Sequence, residues 1–494
     1  MLVEHRRAVA ALALIASFMV FVDGTIVNLT VAQLDSSLGA TRSQLEWTIN
    51  AYTLTFAAVL LGAGAITDNL GAKRTFVAGL SVFAASSGLC ALADSMAMLN
   101  GARLVQGVGA ALLVPSALVL ATAGARGAGE RHRLVGWWAA AGGLGMAAGP
   151  LLGGALVSLV NWRAVFAVNL VIGIPALAWS VRVMPAVAGP RRHFDITGML
   201  SAALLIGGLV FALIEAPGRG WLAIEVLIAI TVAGVGLVGF CLAELAATAP
   251  LLPRKLYRTA TFAVTAVQGA LFNFTFYGLL FALGLMLQQG RGLSAIAAGV
   301  LFLPLTGLLP LGAIGAAPLA RRRSLRTVLG AGQTLLVLSL LAAALVGSTH
   351  ALWLLALALV PVGLSSGFLV PTMTSLSLAD VEPGLHGAAS SVFNTARQVG
   401  AAIGIATFGP LLGDTGDVTD GFAVCVLIGA VATAAALVLG AAGRPRRSVA
   451  RSGSDLLHRS ERTAIRDAGE IASGKWQPTR PGTPRECHPG VARR

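Results

Sequence analysis

The amino-acid sequence predicts an all-α polytopic membrane protein with fourteen transmembrane helices, arranged as two related six-helix bundles plus two inserted helices. Three observations predict this fold class. The chain of 494 residues is 56% hydrophobic and only 11% charged, whereas soluble domains carry about 25% charged residues. Apolar stretches long enough to cross about 30 Å of hydrocarbon recur from end to end. Short motifs of the first half also recur in the second half.

Each stretch of roughly 17 to 25 apolar residues is interpreted as one transmembrane helix, called a span and numbered along the chain. Spans 1 to 14 are predicted at 8–29, 47–67, 74–93, 97–122, 134–158, 163–183, 196–215, 221–245, 260–287, 295–319, 327–347, 351–373, 386–411 and 421–441. The first stretch follows Arg6 and Arg7 as a signal peptide would, but it continues to Leu29 without an obvious cleavage site. We therefore interpret it as span 1.

The distribution of Lys and Arg between alternate loops predicts the orientation. One set of loops is rich in them: Lys73, Arg74, Arg126, Arg131, Arg133, Arg182, Arg191, Arg192, Arg254, Lys255, Arg258, Arg321, Arg322, Arg323 and Arg326. The opposite set contains only Arg42, Arg163, Arg219 and Arg291. The basic set is expected in the cytoplasm, so an even number of spans places both termini there, in a plasma-membrane protein. The net charge of +14 is therefore a topology signal, and no nucleic-acid partner is expected.

Repeated motifs divide the chain into two halves. Gly107–Ser116 in span 4 resembles Gly363–Thr372 in span 12, and Gly149–Gly153 in span 5 resembles Gly409–Gly413 in span 13. The predicted units are an N-terminal bundle of spans 1–6 at 1–184, inserted spans 7–8 at 185–257, a C-terminal bundle of spans 9–14 at 258–442, and a basic disordered cytoplasmic tail at 443–494.

Span 5 contains a glycine-rich run. Gly145, Gly149 and Gly153 repeat every four residues and form one smooth stripe if the segment is helical. Another helix can pack closely along such a stripe in lipid. Pro150 is expected to bend the helix, and Gly154 extends the run. We expect the stripe to seal the interface between the two bundles.

Two charged residues lie inside predicted spans, where charges are costly and usually functional. Asp23, late in span 1, could take up and release a proton, or could bond locally to Thr25 or Asn28 in a structural role. Arg103, in span 4, cannot lose its proton and could hold a carboxylate ionised, with Gln106 on the same helix face. The alternative is an arginine that extends toward the membrane surface.

Two further polar groups are candidates. Asn394 and Arg397 form a polar cluster in span 13 that could contact a substrate or a neighbouring helix. Between spans 2 and 3, Asp68 is followed by Gly71, which permits a sharp turn, and then by the basic residues Lys73 and Arg74. Such an acid can pair with a base or a helix N-terminus and exchange partners when bundles move. This candidate gating loop consists of Gly64, Asp68, Gly71, Lys73 and Arg74.

Several classes of cofactor site are missing from the sequence. It contains neither the nucleotide-binding pattern GxxxxGK[ST] nor the zinc pattern HExxH. Its four cysteines form no CxxC pair, so neither a disulfide framework nor a metal site is indicated. We therefore expect no cofactor and no metal, and any uphill transport by this chain would need a gradient to drive it.

These stretches together resemble the major facilitator superfamily, and fourteen spans resemble its drug:proton antiporter branch. The span 1 motif is similar to Asp23–Asn28, the loop 2–3 signature to Gly64–Arg74, the span 4 signature to Arg103–Ala111, and the span 5 antiporter signature to Gly145–Gly154. Departures are Asn69 and Ala72, where the family usually has basic residues, and Ala32, where proline is common. Within the branch, the chain looks closest to actinomycete antibiotic exporters.

The resemblance implies a major facilitator fold whose two bundles rock about a central cavity, so that proton entry is exchanged for drug exit. Asp23 would couple to protons, with Arg103 as its partner in the cytoplasmic half. Asn28 and Gln106, with the span 13 pair Asn394 and Arg397, would contact the substrate. The partners implied are protons, the lipid bilayer and a small amphipathic or cationic drug-like substrate, with the protein as a monomer.

Two alternatives remain from the sequence. A transporter of the same fold could export a metabolite rather than a drug. A membrane-embedded enzyme that modifies lipids would need His, Asp or metal ligands gathered at one membrane face. The seven histidines are instead scattered along the chain, so the sequence favours a transporter over an enzyme.

Overall fold

The computed structural model describes residues 2–187, 195–247, 250–347, 349, 351–382, 385–414 and 418–442. The secondary structure of these residues is helical and contains no strand, which confirms the predicted all-α class. The tail predicted at 443–494, and Arg191 and Arg192 of one basic loop, lie outside the described residues.

Each predicted span coincides with a helix that keeps the number of its span. Spans 1 to 8 are Leu2–Ile26, Arg42–Leu70, Ala72–Ala91, Met96–Ala123, Ala128–Leu159, Trp162–Val183, Ile196–Arg219 and Ile224–Ala246. Spans 9 to 14 are Ala260–Leu285, the pair Ala295–Thr306 and Leu309–Arg322, then Leu325–Gly347, Leu352–Ala379, His386–Asp414 and Val418–Ala442. The predicted boundaries differ from these by a few residues.

Span 13 differs from the other spans in composition. Within the described residues, thirteen helices are long and apolar enough to cross a membrane, and span 13 is not one of them. Its first half carries the polar cluster around Asn394 and Arg397. Span 13 packs against spans 2, 7, 9 and 14, so neighbouring helices surround it, as intramembrane polar residues require.

Short elements shape the ends of the spans. A capping box begins span 2, because the Thr41 side chain accepts from the Gln44 backbone and the Gln44 side chain accepts from the Thr41 backbone. Gly71, with φ of 86°, joins spans 2 and 3 in a conformation that favours glycine. The short helices Val31–Leu38 and Arg254–Tyr257 precede spans 2 and 9.

The same packing pairs recur in spans 1–6 and spans 9–14. Span 1 packs on span 5 as span 9 packs on span 13, and span 3 packs on span 4 as span 11 packs on span 12. Span 2 packs on span 4 as span 10 packs on span 12, and span 3 packs on span 6 as span 11 packs on span 14. Span 7 contacts both halves, through spans 2 and 13, while span 8 packs on span 7. The spans 7–8 pair therefore lies beside the junction of the halves.

The glycine stripe of span 5 packs against span 1. A Cβ atom at Gly145 would lie 2.6 Å from the carbonyl oxygen of Phe18, and one at Gly153 would lie 2.5 Å from that of Ile26. A Cβ atom at Gly149 would overlap the Thr25 side chain. Only glycine permits this approach of two helix backbones.

The expectation that this stripe seals the interface between bundles is therefore wrong, because span 1 belongs to the same half as span 5. The interface between the two halves is formed by the adjacent face of the span 5 helix. Gly154 abuts the Ala295 backbone of span 10, and a Cβ atom at Gly299 would lie 2.8 Å from the carbonyl oxygen of Pro150. The run thus serves two contacts, one inside a half and one between halves.

We expect Gly149→Leu to lower the melting temperature of the purified protein by several degrees and to block transport, because spans 1 and 5 must separate to admit the side chain. Gly143→Leu is the matched control, since a Cβ atom at Gly143 has no neighbour within 4 Å. Thermal unfolding in detergent and transport assays measure both effects. Equal behaviour of the two variants would refute the packing argument.

Candidate functional site

A fully buried ion pair joins spans 1 and 4. The Nη1 atom of Arg103 lies 2.5 Å from the Oδ2 atom of Asp23, and both side chains are 0% exposed. The interpretation of Arg103 as an arginine that extends toward the membrane surface is therefore wrong. Asp23 also has no local bond to Thr25 or Asn28. Instead, Asn28 donates to the backbone oxygen of Thr25 at 2.9 Å.

Amide side chains complete the shell of Asp23. The Oδ1 atom of Asp23 accepts from Gln106 Nε2 at 2.9 Å and from Asn169 Nδ2 at 2.9 Å. Gln106 also accepts from Arg103 Nη1 at 2.7 Å and donates to Ser87 Oγ at 2.8 Å. The network thus includes residues of spans 1, 3, 4 and 6. Three side chains from spans 4 and 6 thus donate hydrogen bonds to this one carboxyl group.

The guanidinium of Arg103 is held from span 2 as well. Its Nε donates to the backbone oxygen of Thr48 at 2.9 Å, and its Cζ lies 4.3 Å from the centre of the Tyr52 ring. Such stacking is an attractive cation–π contact. The remaining Nη2 has no hydrogen-bond partner among the described residues.

Arg103 was expected in the cytoplasmic half, which disagrees with its position once the orientation predicted from the loop charges is adopted. Arg103 lies within about two turns of the N-terminal end of its helix, Met96–Ala123. Asp23 lies in the last turn of Leu2–Ile26. Since spans 1 and 4 run in opposite directions, the pair occupies one level near a single end of the bundle. The sequence places that end on the outer side.

A cleft between the halves adjoins the ion pair. Spans 1 and 2 contribute Phe21, Gly24, Tyr52 and Phe56, while spans 9 and 13 contribute Tyr277 and Gln398. Tyr52 belongs to both regions, because its ring stacks on the guanidinium of Arg103 and it also lines the cleft. The ion pair and the cleft wall therefore share this side chain.

The four substrate-contact candidates lie in three different places. Gln106 belongs to the ion-pair network, and Asn28 is buried where spans 1 and 9 meet, its backbone oxygen against Gly284. Asn394 donates to the backbone oxygen of Ser390 on its own helix at 2.9 Å. Arg397, one turn away, is half-buried and directed toward span 9. None of the four lines the cleft, but Arg397 directly precedes Gln398, which does.

The candidate gating loop contacts span 6. Lys73 Nζ donates to the backbone oxygen of Val181 at 2.9 Å, and the backbone of Ala72 donates to that of Val187 at 3.0 Å. Arg74 is exposed. A Cβ atom at Gly64 would lie 3.8 Å from the side chain of Ser391 in span 13. The basic end of the loop is therefore bound within the N-terminal half.

Sequence reasoning missed a second buried acid. Glu46 of span 2 is 1% exposed, its Oε2 has no hydrogen-bond partner among the described residues, and its carboxyl group packs on Gly409 of span 13. Nearby, Arg42 Nη1 donates to the backbone oxygen of Gly409 at 3.1 Å. The sequence does show Glu46 as an acid at the start of a span. Its contact with the other half is visible only in the structure.

Other contacts join the halves near the same end. Ser158 Oγ accepts from the backbone of Ile296 at 3.0 Å, and Gln289 Nε2 donates to Asp35 at 3.3 Å. Deeper in the bundle, Thr306 donates to the backbone oxygen of Ala147 at 3.1 Å. The contacts between halves are thus concentrated from this end to the middle of the helices.

Comparison with known proteins agrees with this architecture. Residues 13–405 match the Major Facilitator Superfamily. The chain is 35% identical to the methylenomycin A resistance protein of Bacillus subtilis (strain 168), over 85% of this chain and 91% of the relative. It is 32% identical to the tetracenomycin C resistance and export protein of Streptomyces glaucescens, over 81% and 75%.

A solved structure shows the same fold. The crystal structure of a POT family transporter in complex with thioalcohol conjugated peptide superposes with a TM-score of 0.68, over 89% of this chain and 97% of that one. At 15% identity this likeness concerns the fold alone. The protein is a multi-pass membrane transporter, not an enzyme. It belongs to the major facilitator superfamily, and the predicted similarity to antibiotic exporters is confirmed by the relatives.

Because Asp23 and Arg103 neutralise each other in a dry site, removal of one partner leaves an uncompensated buried charge, which costs about 3–5 kcal/mol. We expect Arg103→Gln and Asp23→Asn each to lower thermal stability, and the double variant to be less destabilised than the sum of the two. A double-mutant cycle on the detergent-solubilised protein measures this coupling. Strictly additive effects would show that the two side chains do not act as a pair.

Proposed function

We propose that the protein exports a small amphipathic antibiotic or other toxic compound from the cytoplasm in exchange for protons. The observation that carries the proposal is the buried Asp23–Arg103 pair, located beside a cleft between the two halves. The relatives described above support the direction of transport, since their names are those of resistance and export proteins. No cofactor is required, because a proton gradient supplies the energy.

The pair is suited to proton coupling because its stability depends on helix positions. In the arrangement described, Arg103, Gln106 and Asn169 stabilise an ionised Asp23. Movement of span 1 away from span 4 or 6 would remove these donors, and a carboxylate left without them in a dry site takes up a proton. Arg103 keeps its charge throughout. Proton uptake and helix movement are therefore linked.

The contacts between the halves support one stage of the proposed cycle for this arrangement. Arg42 with Gly409 and Ser158 with Ile296 close the end that the loop charges place outside. We infer an inward-facing state in which Asp23 has released its proton, and from which the narrow cleft of about 10 Å³ would widen to load substrate from the cytoplasm. Opening to the outside would break these contacts, release the substrate and expose Asp23 to protons.

The site also bears on the oligomeric state of the transporter and on the membrane in which it lies. One chain supplies both walls of the cleft and the whole ion-pair network, so we propose a functional monomer. Both termini lie in the cytoplasm, and the membrane is the plasma membrane, because export across that membrane is what confers resistance.

We expect Asp23→Asn to abolish efflux driven by a pH gradient while the protein remains in the membrane, because the amide cannot carry the proton. The assays are antibiotic resistance in an efflux-deficient host and uptake into inverted vesicles, with and without an uncoupler. Asp420→Asn, at the exposed start of span 14, is the matched control. Full gradient-driven transport by Asp23→Asn would exclude its role in coupling.

A further inference from the structure

Arg397 is a cation in the middle of span 13 that the protein does not neutralise. Its Nε donates to the Oδ1 atom of Asn273 at 3.2 Å, and this amide is neutral. The ion pairs among the described residues join Arg103, Arg219, Lys255 and Arg6 to acids, but none includes Arg397. The guanidinium of Arg397 therefore keeps an unbalanced charge inside the bundle.

The free end of this guanidinium is accessible. Nη1 and Nη2 of Arg397 donate no hydrogen bond to a described residue, and neither belongs to the buried atoms without partners. Arg103 is the opposite case, because it is 0% exposed and paired with Asp23. A charged group inside a membrane protein is costly unless an opposite charge or a polar ligand compensates it. Asn273 and the ring of Phe393, 5.8 Å from Cζ of Arg397, are its compensating neighbours, and no acid among the described residues supplies a counter-charge.

The cleft beside Arg397 is lined by aromatic rings and an amide. Gln398, the next residue, lines it together with Phe21, Tyr52, Phe56 and Tyr277. No acid is among the residues that line the described part of the cleft. Asp23, which precedes the lining residue Gly24, is paired with Arg103. The cleft therefore combines aromatic and polar neutral side chains, and the unpaired cation Arg397 adjoins one of them.

We propose that Arg397 binds the anionic group of the exported compound, so that the substrates are small amphipathic acids whose apolar part packs on the aromatic rings. The planar fork of an arginine matches a carboxylate with two parallel hydrogen bonds. A cationic substrate would meet the uncompensated charge of Arg397 and be repelled. The inference rests on the proposed export function and chooses between its amphipathic and cationic substrates.

Export of an acid has a consequence for energetics. A proton that enters and an anion that leaves both move positive charge inward, so the inside-negative membrane potential drives each exchange in addition to the pH gradient. Transport of the acid should therefore accelerate when the potential is made more negative inside. Transport of a neutral analogue should accelerate less at the same potential, because only the proton then carries charge across the membrane.

Two fluorescent probes with the same dansyl group test the proposal: dansylglycine, which carries a carboxylate, and dansylglycinamide, which is neutral. We expect the purified full-length protein to bind the acid at least about tenfold more tightly than the amide, as a charge-assisted pair implies. Arg397→Gln should remove this preference and Arg397→Lys should retain part of it. Arg182→Gln, at the exposed end of span 6, is the matched control and should keep the full preference.

The outcomes separate the two proposals. Equal binding of both probes by the wild type, or an unchanged preference in Arg397→Gln, would overturn the anion site. Gradient-driven export of the amide, with no preference for the acid, would support the proposed export function and refute the anion site. Tight binding of the acid, lost in Arg397→Gln, without transport of either probe into inverted vesicles would support the site and contradict export of such acids.

Discussion

The buried ion pair between Asp23 and Arg103 is the interaction on which the N-terminal half depends. Two charges removed from water are tolerated only when geometry and further hydrogen bonds offset their lost hydration. Here Gln106 and Asn169 bond to the acid, and the backbone oxygen of Thr48 bonds to the base. Spans 1, 2, 4 and 6 must therefore keep their relative positions for the pair to persist. A change of these positions would break the hydrogen bonds that hold Asp23.

The two halves treat their intramembrane arginines differently. Arg103 is sealed and paired in the N-terminal half, whereas Arg397 in the C-terminal half has only an amide partner. The cleft lies between them, and Tyr52 connects its wall to the guanidinium of Arg103. In the proposed function, one half carries the group that would bind the proton and the other the group that would bind the substrate. This division would allow the two ligands to be exchanged through one conformational change.

Much of the fold could be predicted from the sequence, because each membrane-crossing helix must be apolar over a length that the bilayer sets. Span 13 is instructive, since its polar residues around Arg397 fit only a helix enclosed by others. The site was predicted less completely. Asp23 and Arg103 stand out as charges in apolar segments, but their pairing and the roles of Asn169 and Glu46 depend on contacts between distant segments. Glycine spacing predicted close packing without revealing that span 1 is the partner.

Whether Asp23 carries the proton can be measured directly in the infrared difference spectrum of the solubilised protein between acidic and neutral pH. A protonated carboxyl group gives a carbonyl stretching band that its carboxylate lacks. The account predicts a band that appears on acidification of the wild type, is missing in Asp23→Asn, and remains in the control Asp420→Asn. Identical spectra of the wild type and Asp23→Asn would contradict it, because Asp23 would then keep one protonation state throughout.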